Sequence, residues 1–310
     1  MDHLTRARLT NPLSKLPSLA GRRAIVTGGA SGLGLVTTRT LALRGADVVI
    51  GARNTRKAEA VRDRLAAEHG LAAGRITVAP LDLIDPDSVL RFASTTGTAP
   101  LDLLVLNAGI SSVPLLHNHA GIESQFATNH LGHFALTAHL LPALEQGTRA
   151  RVVTVSSALY TGAALDLDDL TSNAGYSPGR AYSRSKLANV LFALELNRRL
   201  LAAGSPVRSF AAHPGMARTP LHATYPSAAT RVLTRVVAGV IGREPEPADI
   251  GVLTAALNPD ARPELFWGPA GSKTNPDARG ERFRTKATDP ATAAALWGIS
   301  ERLTDARMLS

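Results

Sequence analysis

Ala24-Ile25-Val26-Thr27-Gly28-Gly29-Ala30-Ser31-Gly32-Leu33-Gly34 is the stretch that decides the fold. Residues 24–27 form a short apolar run of strand type, and the pattern over 33–44 is helical. Between them, glycines at 28, 32 and 34 let the backbone turn tightly and approach a pyrophosphate at a helix N-terminus. The spacing is Gly-x-x-x-Gly-x-Gly, not the more familiar Gly-x-Gly-x-x-Gly. Set between a strand and a helix near the start of the chain, it still reads as a dinucleotide cradle.

Outward from this turn, strand and helix patterns alternate. Strands are expected at 47–50, 75–79, 101–106, 151–155 and 207–212, with a further one at 264–267. Helices are expected at 55–69, 85–93 and 122–144, followed by one that carries Tyr182 and runs to about residue 203. Such alternation implies an α/β fold: a single Rossmann-type, doubly wound parallel sheet of about seven strands with helices on both faces. Residues 1–20 read as an irregular N-terminal arm, 21–310 as one domain, and about 216–245 as a lid over a pocket. Arg243-Glu-Pro-Glu-Pro247 reads as a local turn.

The 310 residues include no cysteine, which excludes disulfides, thiolate catalysis and cysteine-ligated metals and fits a reducing cytoplasm. The net charge is +9, but the arginines are scattered, with no run of like charges and no basic stretch rich in aromatics. Nucleic acid is therefore not the expected partner, while an anionic cofactor suits a basic surface. Residues 1–20 carry charges throughout and lack a signal-peptide core. No membrane span is expected, because the apolar stretch 232–241 is short and interrupted by Arg235; it reads as a lid helix.

Tyr182 and Lys186 stand four residues apart in Ala-Tyr-Ser-Arg-Ser-Lys-Leu-Ala-Asn, on one face of a helix. Of the four tyrosines, only Tyr182 has a lysine at that offset. A free phenol titrates at about 10. A cation at ~4 Å favours phenolate by roughly 4 kcal/mol at an effective dielectric of ~20, opposed by burial. The pair is suited to acid–base work on an oxygen. At the end of the second strand stand Gly51-Ala52-Arg53-Asn54 in place of the acidic residue that would accept from a ribose 2′-hydroxyl. Arg53 offers a planar fork for a 2′-phosphate, which favours NADP (NADPH) over NAD.

Over residues 20–270 the chain resembles the short-chain dehydrogenase/reductase family, through 27–34, Asn107-Ala108-Gly109, Asn129 in Thr-Asn-His-Leu-Gly-His-Phe, Ser156-Ser157, Tyr182-x-x-x-Lys186 and His213-Pro214-Gly215. The run 182–191 and the tail Leu296-Trp-Gly-Ile-Ser-Glu-Arg-Leu-Thr are similar to its retinol-dehydrogenase-like and protochlorophyllide-reductase-like branch. The resemblance implies an NADP-dependent oxidoreductase interconverting a ketone or aldehyde with an alcohol. Tyr182 is then the general acid/base and Lys186 its partner, which also holds the nicotinamide ribose. Ser157, chosen over Ser156 as the serine just before the post-strand loop, steadies the substrate oxygen. Asn129 would hold a water that relays protons to Lys186.

Gly28, Ala30, Ser31, Gly32, Leu33, Gly34, Arg53, Asp82, Leu83, Asn107, Ala108 and Gly109 would contact the cofactor, with Tyr182, Lys186, Pro214, Gly215 and Thr219 toward the nicotinamide. Asp82 would contact adenine, with a plain turn or cap as its alternative role. Ser157 and Tyr182 stand 25 positions apart, more than in many members, and the extra segment resembles the longer loop of this branch. His130 and His133 could share a helix face, but no acidic partner at ligand spacing supports a metal, and they read as helix-interface histidines. His117 and His119 are candidates for the substrate mouth. The Leu-, Ala- and Val-rich stretch 219–243 suggests a lipophilic small-molecule substrate. Family members commonly pair through the long helix and the Tyr182 helix, so a homo-oligomer is possible. The alternatives are an NAD-linked alcohol dehydrogenase or a non-catalytic dinucleotide-binding regulator; a regulator would be expected to lack Ser157, Tyr182 or Lys186.

Overall fold

The computed structural model describes residues 6–10, 16–172, 175–215, 249–271 and 276–309. The strands are β1 (Arg6–Leu9), β2 (Arg23–Thr27), β3 (Asp47–Ala52), β4 (Ile76–Pro80), β5 (Leu103–Leu106), β6 (Arg151–Val155), β7 (Arg208–Ala212), β8 (Phe266–Gly271) and β9 (Pro276–Glu281). They form one sheet in the order β1-β9-β8-β7-β6-β5-β2-β3-β4. From β4 to β8 every pairing is parallel, whereas β9 and β1 are added antiparallel. The seven expected strands are therefore the parallel part, and the full sheet has nine.

The two additions are polar. β9 is Pro-Asp-Ala-Arg-Gly-Glu and β1 is Arg-Ala-Arg-Leu, so neither shows the apolar alternation that marks a strand. β1 lies within the segment expected to be an irregular arm. It is held by ladder pairing from Arg6↔Glu281 to Leu9↔Ala278 and by a salt bridge from Arg8 to Asp277.

The described helices are α1 (Gly32–Leu43), α2 (Thr55–His69), α3 (Pro86–Thr96), α4 (124–145), α5 (Pro178–Ala202), α6 (Ile250–Leu257) and α7 (Pro290–Thr304). α4 is composite: α-helical at Ser124–Phe126, π-helical at Ala127–Leu131 and α-helical again at Gly132–Glu145. Strand residues alternate between two cores. Ala24, Val26, Leu103 and Val105 face one with α1, α2 and α6, while Ile25, Leu104, Leu106 and Val152 face the other with α3, α4, α5 and α7. Burying each large aliphatic side chain contributes roughly 1.5–3 kcal/mol.

Because β3 and β4 lie on one side of β2 and β5 to β8 on the other, the winding reverses between β2 and β5. The loops leaving the C-terminal ends of those two strands flank the crevice where such sheets bind ligands. They are the glycine turn after Thr27 and the segment beginning at Asn107.

Candidate active site

The glycine turn is shaped by what it excludes. Gly28 has φ +66° and Gly32 φ +52°, conformations that side chains with a Cβ rarely adopt. A Cβ on Gly34 would lie 2.4 Å from the Gly28 carbonyl oxygen and 2.5 Å from Asn107 Nδ2. Helix α1 therefore starts close against the turn. Ser31 occupies the N-cap position but makes no side-chain cap, leaving first-turn N–H groups for an anion. Ala30 and Leu33, the other expected contacts here, are half-buried. Arg53 follows β3 directly and is exposed, and Asn54 beside it caps α2 by accepting from the Lys57 N–H at 2.9 Å. Asp82 accepts from the Ile84 N–H at 3.3 Å, which makes it a turn residue, and Leu83 is buried with its carbonyl against Gly132.

Across the switch point, Asn107 Nδ2 donates to the Thr27 carbonyl at 2.8 Å, and the N–H groups of Asn107 and Ala108 both donate to Thr27 Oγ1 at 2.9 Å. The same hydroxyl lies 2.9 Å from His133 Nε2, while His133 Nδ1 lies 3.0 Å from the Asn129 carbonyl oxygen. A carbonyl only accepts, so Nδ1 carries the ring proton. Burial, opposed by the Asn129 carbonyl and aided by the charge of Lys186, pushes the His133 pKa down to about 3. The ring is thus neutral, Nε2 accepts, and the Thr27 proton points at the ring and not at the Val105 oxygen 3.4 Å away.

Asn129 lies in the π-helical turn of α4, an irregularity frequent at functional sites. Its Oδ1 accepts from the Ile110 N–H at 2.8 Å. Its Nδ2 donates to the Ile110 carbonyl at 2.9 Å and to Ser185 Oγ at 3.0 Å. Ser185 donates in turn to the Tyr182 carbonyl at 2.8 Å, so Asn129 is tied to the first turns of α5. Gly109 stands between the parts: a Cβ there would be 3.1 Å from Asn129 Oδ1 and 3.6 Å from Lys186 Nζ.

Tyr182 and Lys186 are both buried on α5. Lys186 Nζ lies 5.6 Å from the centroid of the Tyr182 ring and donates to the Val155 carbonyl at 3.1 Å. No carboxylate accompanies it among these contacts, and burial pushes its pKa down to about 8. The choice between the serines acquires a physical reason. Ser156 Oγ is buried and donates to the Lys186 carbonyl at 2.7 Å. Ser157 is half-buried and, among the described residues, only accepts a long 3.3 Å bond from the Leu159 N–H, which leaves its hydroxyl proton available there.

Gly215 has φ +65° and donates its N–H to His213 Nδ1 at 3.0 Å, which fixes the bend that also contains Pro214. Thr219, the lid at 216–245 and the turn at 243–247 lie outside the described residues. Of the other histidines, His130 is enclosed by Phe126, Phe134 and Phe192 and bonds Ser300 at 2.9 Å. His117 bonds the Thr171 carbonyl at 2.9 Å. Among the described residues no group of three or more His, Asp or Glu is placed to hold a metal ion, and no helix is long and apolar enough to cross a membrane.

Three residues matter more than their sequence pattern suggests. His133 and Ser185 are legible only as helical neighbours, respectively four after Asn129 and three after Tyr182. Gln125 carried no signal at all. It accepts from the Ser112 N–H at 2.7 Å and donates to Tyr176 Oη at 3.0 Å and to the Pro178 carbonyl at 3.1 Å. It thereby joins the segment after Gly109 to the one before α5. Tyr176 itself donates to the Val113 carbonyl at 2.6 Å, closing the same joint.

Residues 22–229 match the family model for short chain dehydrogenases. Mouse polyprenol dehydrogenase is 38% identical over 297 residues, covering 94% of this chain and 86% of that protein. Mouse retinol dehydrogenase 14 is 36% identical over 293 residues, covering 91% and 85%. The crystal structure of an uncharacterised protein from Mycobacterium paratuberculosis superposes with a TM-score of 0.75 at 42% identity, covering 95% of this chain and 97% of that one.

Proposed function

The chain belongs to the short-chain dehydrogenase family, in its retinol-dehydrogenase-like branch, and from that premise we propose that it is an NADP(H)-dependent oxidoreductase interconverting a lipophilic carbonyl compound and its alcohol. The observation that supports the reading is the burial of Tyr182 and Lys186 on α5, with Lys186 Nζ on the Val155 carbonyl two residues before Ser157 and close to Gly109, which also adjoins Asn129. A dinucleotide suits the residues present: Gly34 leaves room where a Cβ would collide, and the first turn of α1 is open to a phosphate. When bound, it supplies or accepts the hydride.

This chain's own residues do the rest. Tyr182 gives its phenolic proton to the substrate oxygen in reduction and takes one back in oxidation. Ser157 donates a hydrogen bond to that oxygen as charge develops on it. Lys186, anchored on the Val155 carbonyl, stabilises the phenolate with its charge and holds the nicotinamide ribose. Asn129 Oδ1 keeps a lone pair free beside Gly109, where a water can link it to Lys186.

Arg53, exposed immediately beyond β3, supports NADP(H) over NAD(H), because a guanidinium pairs with a 2′-phosphate in bidentate fashion. Exposed Leu116 and Leu159, in the segments following Gly109 and Ser157, support an apolar substrate, as do relatives named for polyprenol and retinol. The test is an assay of the purified chain with NADPH and NADH against aliphatic and polyene aldehydes, ketones and alcohols. Equal or better use of NADH overturns the Arg53 reading. Full turnover by Tyr182→Phe overturns the mechanism.

A further inference from the structure

A cavity of about 230 Å³ opens at the end of the sheet opposite the crevice. It lies at the N-terminal ends of β2, β5 and β6, where Arg23, Leu103 and Arg151 stand, about one strand length from the glycine turn. Its charged lining is Arg22, Arg23, Arg149, Arg151 and Asp102. Leu19, Leu41 and Leu257 are among its apolar walls.

The single carboxylate is already saturated. Asp102 Oδ1 accepts from Arg22 Nη1 and from the Thr148 N–H, each at 2.8 Å, and Oδ2 accepts from the Arg23 N–H at 2.8 Å. Asp102 thus neutralises Arg22 and knits the strand ends together. The other three guanidiniums have no carboxylate in the cavity among the described residues. Arg23 faces Asp47 on the neighbouring β3, and that carboxylate already accepts from Arg75 at 2.6 Å. Arg151 donates Nη1 to the carbonyls of Ala255 and Asn258 at 2.8 and 3.0 Å and lies over the Phe210 ring at 4.7 Å. Those contacts orient it without cancelling its charge.

Arg149 makes no hydrogen bond or ion pair among the described residues, and its backbone is left-handed, with φ +50°. Non-glycine residues held there cost free energy and tend to persist where a site uses them. Burial and the like charge of Arg149 push the Arg151 pKa down to about 10. Residues 11–15, which adjoin the cavity in sequence, are Asn-Pro-Leu-Ser-Lys and bring no acid. Arg23 and Arg151 are half-buried and Arg149 is exposed at the mouth, so the cavity presents a graded set of cations to an oxyanion entering from solvent.

We infer that this cavity is a second ligand site, distinct from the dinucleotide crevice, which takes a small organic anion: a phosphate or carboxylate head on Arg149 and Arg151, with a short apolar body against Leu19, Leu41 and Leu257. The site is independent of the reaction assigned above.

The probes are inorganic phosphate and butyl phosphate, titrated calorimetrically into the full chain held in saturating NADP⁺ so that the crevice is filled. One-site binding is expected, tighter for butyl phosphate. Arg149→Ala is expected to weaken both probes about tenfold, the loss of one charge-assisted contact. Arg149→Gly should lose the same affinity while raising the melting temperature, because glycine adopts φ +50° without strain. That separates binding from folding. Arg53→Ala should leave the titration unchanged. Absence of heat with either probe at millimolar concentration overturns the site, as does binding that survives both Arg149 substitutions. Equal affinity for the two probes overturns the apolar half of the assignment.

Discussion

Thr27 and His133, 106 residues apart, meet at 2.9 Å, and through them the glycine turn is joined to the π-helical turn that carries Asn129. The imidazole is the bridge: it accepts from the strand end and donates to a carbonyl on its own helix. His133→Phe keeps the bulk but strands the Thr27 proton and withdraws the partner of the Asn129 carbonyl. A loss of about 1–3 kcal/mol in stability is expected from the unsatisfied groups. Denaturant midpoints measure it, and weaker NADPH binding, read by fluorescence, should accompany it. His133→Gln, with an acceptor and a donor at similar reach, should recover part of both.

Acid sensitivity follows from the same burial. Burial holds His130 and His133 at about 3 and His213 at about 4, all below the ordinary value of 6.5. Above 6.5 these rings are neutral in both states and have no effect. As pH falls below 6.5 the unfolded chain takes up protons that the folded chain refuses, so stability drops by about 1.4 kcal/mol per pH unit for each histidine. Three such groups remove stability comparable to that of a whole domain within a couple of pH units. Urea midpoints at pH 7, 6 and 5 should fall steeply, and His130→Phe should lower the slope by the contribution of one ring.

Lys186 acts in the alkaline range with a related sign. Burial lowers its pKa from 10.5 to about 8. Below 8 the folded state carries a buried charge at full cost. Between 8 and 10.5 the unfolded chain keeps a proton that the folded chain has lost, so stability of the cofactor-free protein should rise by roughly 3 kcal/mol. Lys186→Met should abolish that rise, and with it the turnover.

Gly34→Ala tests the cradle. A methyl group 2.4 Å from a backbone oxygen has nowhere to go unless α1 shifts away from the turn. Loss of measurable NADPH binding is expected with the sheet retained, as read by circular dichroism. Normal affinity would refute the close approach.

Gln125→Leu tests the substrate side. It removes three hydrogen bonds joining the segments that carry Ser112, Tyr176 and Pro178, and touches neither the glycine turn nor Lys186. A raised KM for the organic substrate with an unchanged KM for NADPH is the expected pattern.

Oligomeric state is a further test. α7 packs over α4 and α5: Trp297 stands edge-on to Phe134 at 5.1 Å and stacks on Phe192 at 6.0 Å, under the Arg199 guanidinium. Those are the two helices through which family members commonly pair, and here α7 packs against both. Sedimentation equilibrium should return a single species of 32.5 kDa. A dimer dissociated by substitutions on the outer faces of α4 and α5 would contradict this.

How much of this could be read from the chain depends on whether a feature is local. The limits of α2 coincide with the expected 55–69 because Asn54 caps one end and Gly70, at φ +60°, ends the other. The parallel strands announce themselves by continuous apolar runs, since both faces are buried. β1 and β9 do not, because charge and backbone pairing, with few apolar side chains, hold them in place. The site shows the same division. Tyr182 and Lys186 share a helix face, and the glycines share a turn, so sequence spacing reveals them. The Thr27–His133 contact and the Gln125 joint arise only when distant segments are folded together. Ser157 is intermediate: its position marks it, but only the donation of Ser156 to Lys186 explains why the neighbour is unsuited.

The pairing of β1 with β9 also sets an order of events. Arg6 to Leu9 leave the ribosome long before residues 278–281, on which they dock. Throughout synthesis that short basic ribbon has no seat, and the outer rim of β9 has no cover until the ribbon returns to it. Closing the sheet is therefore a late step, joining two segments far apart in sequence. A version shortened before residue 10 should fold its parallel strands yet present an open rim to its neighbours, with clumping on storage as the visible cost.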